Sequence, residues 1–251
     1  MPDLLTQALA LPGLGWLIAA ALIAGIVRGF AGFGTAMVYL PIAGSFLSPF
    51  AAMTTLIVMD LIGPLPNVPR ALRDRHPGDI SKLFLGLVVA LPLGVLTLSL
   101  LPVEVFRYAV SIIAMVLLVL LITGFRYQGT LGPKTIVGTG MLGGFLGGST
   151  GLPGPPVIMV YMASQHPASV VRATLMLYLV AVDALMLGVF WLYGRLEAQF
   201  LVLGFVVMVP YLLGNVIGGV LFRPEYERLY RWVAYAIIAI SAVSGLPLWE
   251  S

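Results

Sequence analysis

From residue 14 to residue 248 the chain is a succession of long apolar stretches joined by short polar links, at about 14–45, 50–69, 80–101, 105–125, 135–163, 172–193, 199–222 and 230–248. Bilayer hydrocarbon is about 30 Å thick and takes roughly 20 helical residues. Six of the eight stretches suit one crossing, and two are too long. In lipid every backbone N–H and C=O must find a partner inside the protein, so segments of this length and composition are helices. Only 9% of the 251 residues are charged, against about 25% in a soluble globular protein. The pattern predicts an all-α, polytopic membrane protein.

Asp3 is the only charged residue before Arg28. A secretory leader needs a basic region ahead of its apolar core, so the first stretch is expected to remain as a membrane segment. With no cysteine and two histidines, there is no thiolate chemistry and little material for a metal cluster, and neither metal nor cofactor is expected. The net charge of +3 resides in short loops, where it reports topology; no nucleic-acid partner is implied.

The chain also repeats itself. At an offset of 119, Gly29 meets Gly148, Gly32 meets Gly151, Val38 meets Val157, Thr55 meets Thr174 and Leu56 meets Leu175. At an offset of 118, Gly86, Val88, Val89 and Pro92 meet Gly204, Val206, Val207 and Pro210. Residues 1–130 and 131–251 read as two copies of one membrane repeat. Each copy opens with an overlong, glycine-interrupted segment, GIVRGFAGFGTAMVYLP in the first and GGFLGGSTGLPGPPVIMVYM in the second. A straight helix of about 30 residues would run about 45 Å, so each segment must tilt steeply or break.

Loop cations discriminate between these, since short cytoplasmic loops are rich in Lys and Arg. If each segment breaks into a hairpin, three full crossings follow and the second repeat is inverted. Arg70, Arg73, Arg75, Lys82, Arg126, Lys134, Arg172, Arg223, Arg228 and Arg231 are then cytoplasmic and Arg107 and Arg195 external, ten against two. If each segment crosses once, the split is seven against five. The charges favour two inverted repeats, each a broken helical hairpin plus three transmembrane helices, with both termini outside.

Three charged residues fall within the apolar spans: Arg28, Asp60 and Asp183. An ionised group at the bilayer centre costs roughly 2.5–3.5 kcal/mol on the mildest scale, so it faces a cavity or a partner. The repeat maps Asp60 onto Leu179, one helical turn before Asp183, hence on the same face. The two carboxyls are candidate acceptors for a coupling proton or cation, or else structural hydrogen-bonding groups. Arg28, beside the first glycine run, offers a planar donor for a sulfonate, carboxylate or phosphate; its alternatives are snorkelling to the interface or pairing with Asp60.

An interrupted helix in a membrane exposes N–H groups, and a half-helix N-terminus carries partial positive charge that suits an anion. In the first break the candidates are Gly29, Gly32, Gly34 and Thr35; in the second, Gly148, Ser149, Thr150, Gly151 and Gly154. Pro155 and Pro156, lacking N–H groups, suit the first turn of the following half-helix. The competing reading gives these glycines to close helix packing. GFAGFG resembles a dinucleotide fingerprint only superficially, for no strand and helix unit surrounds it. RALRDRHPGDISK is read as an orienting cytoplasmic loop, and His76 and His166 as solvated.

The glycine-rich break followed by proline in each repeat, GFAGFGTAMVYLP and GGSTGLPGPPVIMVY, together with the duplicated layout of some 250 residues, resembles the TauE/SafE sulfite exporter family, also called the toluene sulfonate uptake permease family. The resemblance implies a secondary carrier of a small anion, such as sulfite, an organosulfonate or a related sulfur or carboxylate compound, in the prokaryotic inner membrane. The sequence departs from the family's commoner run of three glycines, with Gly32-Phe33-Gly34 and Pro153-Gly154-Pro155-Pro156. The expected partners are therefore a small anion, the lipid bilayer and a coupling proton or cation, with alternating access between the repeats and no catalytic residues. A membrane-embedded enzyme would need clustered carboxylates, histidines or metal ligands at one face. A non-transporting assembly subunit is the other alternative, disfavoured by the internal symmetry.

Overall fold

The computed structural model describes residues 2–124, 131–161, 164 and 166–248. Arg126 and the ends of two expected segments, at residues 125 and 162–163, lie outside them. The described residues form helices, turns and no strands: α1 (Pro2–Leu9), α2 (Leu14–Ala31), α3 (Thr35–Ala43), α4 (Pro49–Leu61), α5 (Val68–Asp74), α6 (Pro77–Leu100), α7 (Val103–Ile122), α8 (Pro133–Thr150), α9 (Gly154–Tyr161), α10 (Ala168–Leu192), α11 (Ala198–Leu221) and α12 (Glu227–Ser244). Among these, α2, α6, α7, α10 and α11 are each long and apolar enough to cross a membrane, and α4 with α5 makes a sixth if counted as one interrupted span. The chain is an all-α, polytopic membrane protein.

Both overlong segments break at glycine. α2 closes when Gly32, at φ +77°, donates its N–H to the Arg28 carbonyl, and α3 starts behind Gly34 at φ +100°. α8 closes on Gly151, at φ +73°, and α9 resumes at Gly154. These left-handed conformations cost an L side chain roughly 1–2 kcal/mol, and glycine escapes that cost.

The chain divides into two compact units, one comprising 1–60, 102–122 and 194–251, the other 61–101 and 123–193. In the first, α3 turns back along α2. Gly34 lies against Val27, and beyond the short arm Phe46 returns to Gly13 at the start of α2. The Tyr39 hydroxyl donates to Thr55 Oγ1 (3.0 Å), fastening α3 to α4. α12 lines the other side of the short arm, with Ile238 near Gly34 and Gly245 against Pro41. In the second unit α9 turns back along α8, so that Gly143 meets the Pro153 carbonyl and Val157. Tyr178 of α10 donates to the Gly140 carbonyl (3.1 Å).

Each unit is seamed by one parallel pair of helices in backbone contact. In one, Gly25 and Gly29 of α2 lie on Tyr211, Asn215 and Gly218 of α11. In the other, Gly140, Gly144 and Gly148 of α8 lie on Leu83, Leu87 and Leu91 of α6. The four-residue glycine spacing puts one smooth ridge on each helix, which lets backbones approach where lipid supplies no hydrophobic drive. A Cβ on Gly148 would collide with the Leu91 carbonyl and sit 2.9 Å from the Val95 nitrogen.

Three expectations change. The 50–69 segment is interrupted at Gly63-Pro64-Leu65-Pro66, where a 3-10 turn intervenes, because prolines remove donors and disfavour a helical residue before them. The stretch read as a cytoplasmic loop is largely helical, formed by α5 and the first turns of α6. Arg107, expected in an external loop, is buried in α7 and donates to Ser45 Oγ (3.1 Å).

Candidate functional site

The polar centre of the first unit is built where four helices bring one group each. Arg28 occupies the last turn of α2, Thr35 opens α3, Asp60 lies in the last turn of α4, and Tyr211 follows Pro210 inside α11. Arg28 Nη1 is 3.5 Å from Asp60 Oδ2 and 3.5 Å from Thr35 Oγ1. The Tyr211 hydroxyl lies 3.4 Å from Thr35 Oγ1 and donates to Asp60 Oδ1. Thr35 is 2% exposed and Tyr211 1%, whereas the Arg28 and Asp60 side chains keep 23% and 21% of their surface.

Helix ends explain much of this. A cation in the last turn of α2 faces the negative pole of its helix and is stabilised there; Asp60, in the last turn of α4, faces a pole of its own sign. The carboxylate is held there by the Arg28 charge and the Tyr211 hydroxyl. Directly opposite, the first turn of α3 has no side-chain cap. Val38 is its first N–H to close, onto the Gly34 carbonyl (3.0 Å), so the amides of Thr35, Ala36 and Met37 precede the hydrogen-bonded ladder. The arrangement presents a paired cation, a hydroxyl and a half-helix N-terminus around one break, a donor set that fits a small oxyanion.

The sequence candidates divide accordingly. Arg28, Gly32, Gly34, Thr35 and Asp60 come together at the first break. Gly29 and Gly148 are taken up by packing against α11 and α6, the competing reading of those glycines. At the second break Ser149 and Thr150 are buried, but their hydroxyls donate to the Phe145 (2.7 Å) and Leu146 (2.8 Å) carbonyls within α8. Gly151 makes the turn, and Gly154, touching Leu179 and Ile158, starts α9. Because residues 155 and 156 are proline, that first turn offers fewer N–H groups than its counterpart in α3. Asp183 is half-buried on α10 of the second unit, next to Val182, which packs on Gly147.

Tyr211 is not among the sequence candidates. Its signal is a lone tyrosine in the middle of an apolar span, where a hydroxyl needs a partner. His76 and His166, read as solvated, both reach Asp79 at the start of α6.

Neither a curated protein nor a solved structure gives a match to the chain. The family described as Sulfite exporter TauE/SafE matches residues 17–245, a span that contains both breaks and every residue of the polar centre. The chain belongs to the TauE/SafE sulfite exporter family.

Proposed function

We propose that the chain is a secondary-active carrier of sulfite, an organosulfonate or a related small sulfur or carboxylate anion, which binds at the first break and is coupled to a proton or cation through Asp60. Family membership and the apolar helices already make it a multi-pass membrane transporter of the sulfite exporter kind. The observation that carries the finer reading is the placement of Arg28: the same guanidinium nitrogen that pairs with Asp60 also approaches Thr35 at the start of α3.

An anion arriving at the α3 amides competes with the Asp60 carboxylate for Arg28. Protonating Asp60, or drawing it to a cation, removes the competitor and leaves the guanidinium for the substrate. The charge beside Arg28 is then balanced in both states, and anion and proton load together. Asp183 and the second break, with Gly148, Ser149, Thr150, Gly151 and Gly154, occupy the equivalent place in the second repeat. The folding back of each overlong segment supports the inversion of residues 131–251 relative to 1–130, since an odd number of crossings then separates the hairpins. Alternating access between the two repeats in a prokaryotic inner membrane completes the reading.

The test is uptake of labelled sulfite, an alkylsulfonate and an aromatic sulfonate into proteoliposomes holding the purified chain, with and without an imposed pH gradient. Gradient-stimulated flux of at least one anion, lost in Arg28→Ala, is the expected result. Absence of flux for all of them, with folded protein shown to be reconstituted, removes the reading.

A further inference from the structure

We propose that His76, Asp79 and His166 form a binding site for a divalent transition-metal ion of the zinc class, in the second unit where the short arm α9 leaves its hairpin. His76 precedes α6, Asp79 lies in its first turn, and His166 comes from the link between α9 and α10. His76 Nδ1 is 3.0 Å from Asp79 Oδ1 and His166 Nε2 is 3.1 Å from Asp79 Oδ2. The three candidate donor atoms all lie within 4.8 Å of one another. Eighty-seven residues separate Asp79 from His166, so the fold, not local sequence, creates the set.

Two imidazoles and one carboxylate are a donor set that zinc accepts, leaving a fourth position for water. Ligand bonds of about 2.0–2.2 Å in a tetrahedron place donor atoms roughly 3.3 Å apart; each carboxylate–imidazole distance is near that value, one to Oδ1 and the other to Oδ2, so one ring must shift toward the oxygen that ligates. The remaining adjustment is the approach of the two rings, whose centroids are 4.9 Å apart. His76 keeps 47% of its side-chain surface and His166 29%, so both rings have room to turn, while Asp79 at 6% is fixed.

A second observation points into the same place. Tyr161, the last residue of α9, is 1% exposed and its hydroxyl has no well-formed hydrogen-bond partner among the described residues. It approaches the Asp79 carboxylate closely enough for charge and for a loose, poorly formed hydrogen bond. A buried hydroxyl without a partner carries a desolvation cost of about 1–3 kcal/mol. A water held on the ion's open position would give it one, and a phenol so placed is the kind of outer group that orients metal ligands. The ion would then tie the exit of α9 to the start of α6.

The experiment uses the full chain in detergent, stripped with chelator and titrated with Zn²⁺ by calorimetry, with elemental analysis after desalting and Co²⁺ absorption as a report on ligand type. About one Zn²⁺ per chain is expected, with affinity lowered at least about tenfold in His166→Ala and Asp79→Asn and retained in His166→Cys, which keeps a zinc ligand. Circular dichroism and monodispersity establish that each variant is folded. Wild-type protein that retains no Zn²⁺ overturns the proposal and leaves a His–Asp–His hydrogen-bonded clasp only. Equal binding by His166→Ala overturns it as well, assigning the metal to other groups. No outcome depends on transport, so the site stands or falls apart from the carrier reading.

Discussion

Replacing Asp60 by asparagine imitates the protonated carboxyl and should reverse the usual expectation for a lost ion pair, weakening the empty protein while strengthening its hold on the anion. At 3.5 Å, Coulomb's law with an effective permittivity of about 20 gives about 5 kcal/mol of attraction between Arg28 and Asp60. That is a ceiling, since both side chains retain about a fifth of their surface and water screens them. A net release of about 1.4–2.8 kcal/mol corresponds to ten- to a hundredfold tighter anion binding. The same amount should be missing from the stability of the substrate-free protein, where Arg28 is left partly buried opposite a neutral amide.

Thermal unfolding of the purified protein reads both effects at once. The Asp60→Asn variant is expected to unfold at a lower temperature than wild type without ligand and to gain more on adding a saturating sulfonate. Its anion binding should also lose the strengthening on acidification expected of wild type, and its flux should no longer respond to a pH gradient. A variant destabilised without ligand, whose anion affinity and pH response equal those of wild type, would refute the competition between carboxylate and substrate.

Removing the Tyr211 hydroxyl with Tyr211→Phe takes one donor from the Asp60 carboxylate and should lower substrate-free stability by about 1.5–3 kcal/mol, read as a fall in unfolding temperature. Thr35→Ala should weaken anion binding more than Ser149→Ala or Thr150→Ala, measured by titration, because the latter hydroxyls already donate within α8. Gly148→Ala should destabilise by about 1–3 kcal/mol through overpacking against α6, whereas Gly188→Ala, with open space around it, should be neutral or slightly stabilising. Comparable losses in both glycine variants would contradict the backbone seam.

The helical spans were legible because lipid leaves backbone polar groups no other way to pair, and both breaks were legible because a segment of about 30 apolar residues exceeds the bilayer. Arg28, Thr35 and Asp60 stood out as polar groups against an apolar background, and the structure joins them. What the sequence did not reveal is which helices meet. Gly29 and Gly148 have the same local signature as Gly32 and Gly151, yet the first two face a neighbouring backbone and the second two make turns. Tyr211, and the pairing of His76 and His166 with Asp79, depend on contacts between distant segments that no local periodicity encodes.

The seam between α2 and α11 also constrains how the protein is made. A chain leaves the ribosome from its N-terminus, and residues 61–101 and 123–193, which complete the second unit, have all emerged while the partner of α2 is still unsynthesised. Gly25 and Gly29 must therefore wait in the membrane, with Arg28 and Asp60 already inserted, until Gly214 and Gly218 arrive. A nascent chain arrested near residue 193 would contain a unit able to close and another that is not. That order of assembly makes the first break, the one carrying the paired charges, the last to be enclosed.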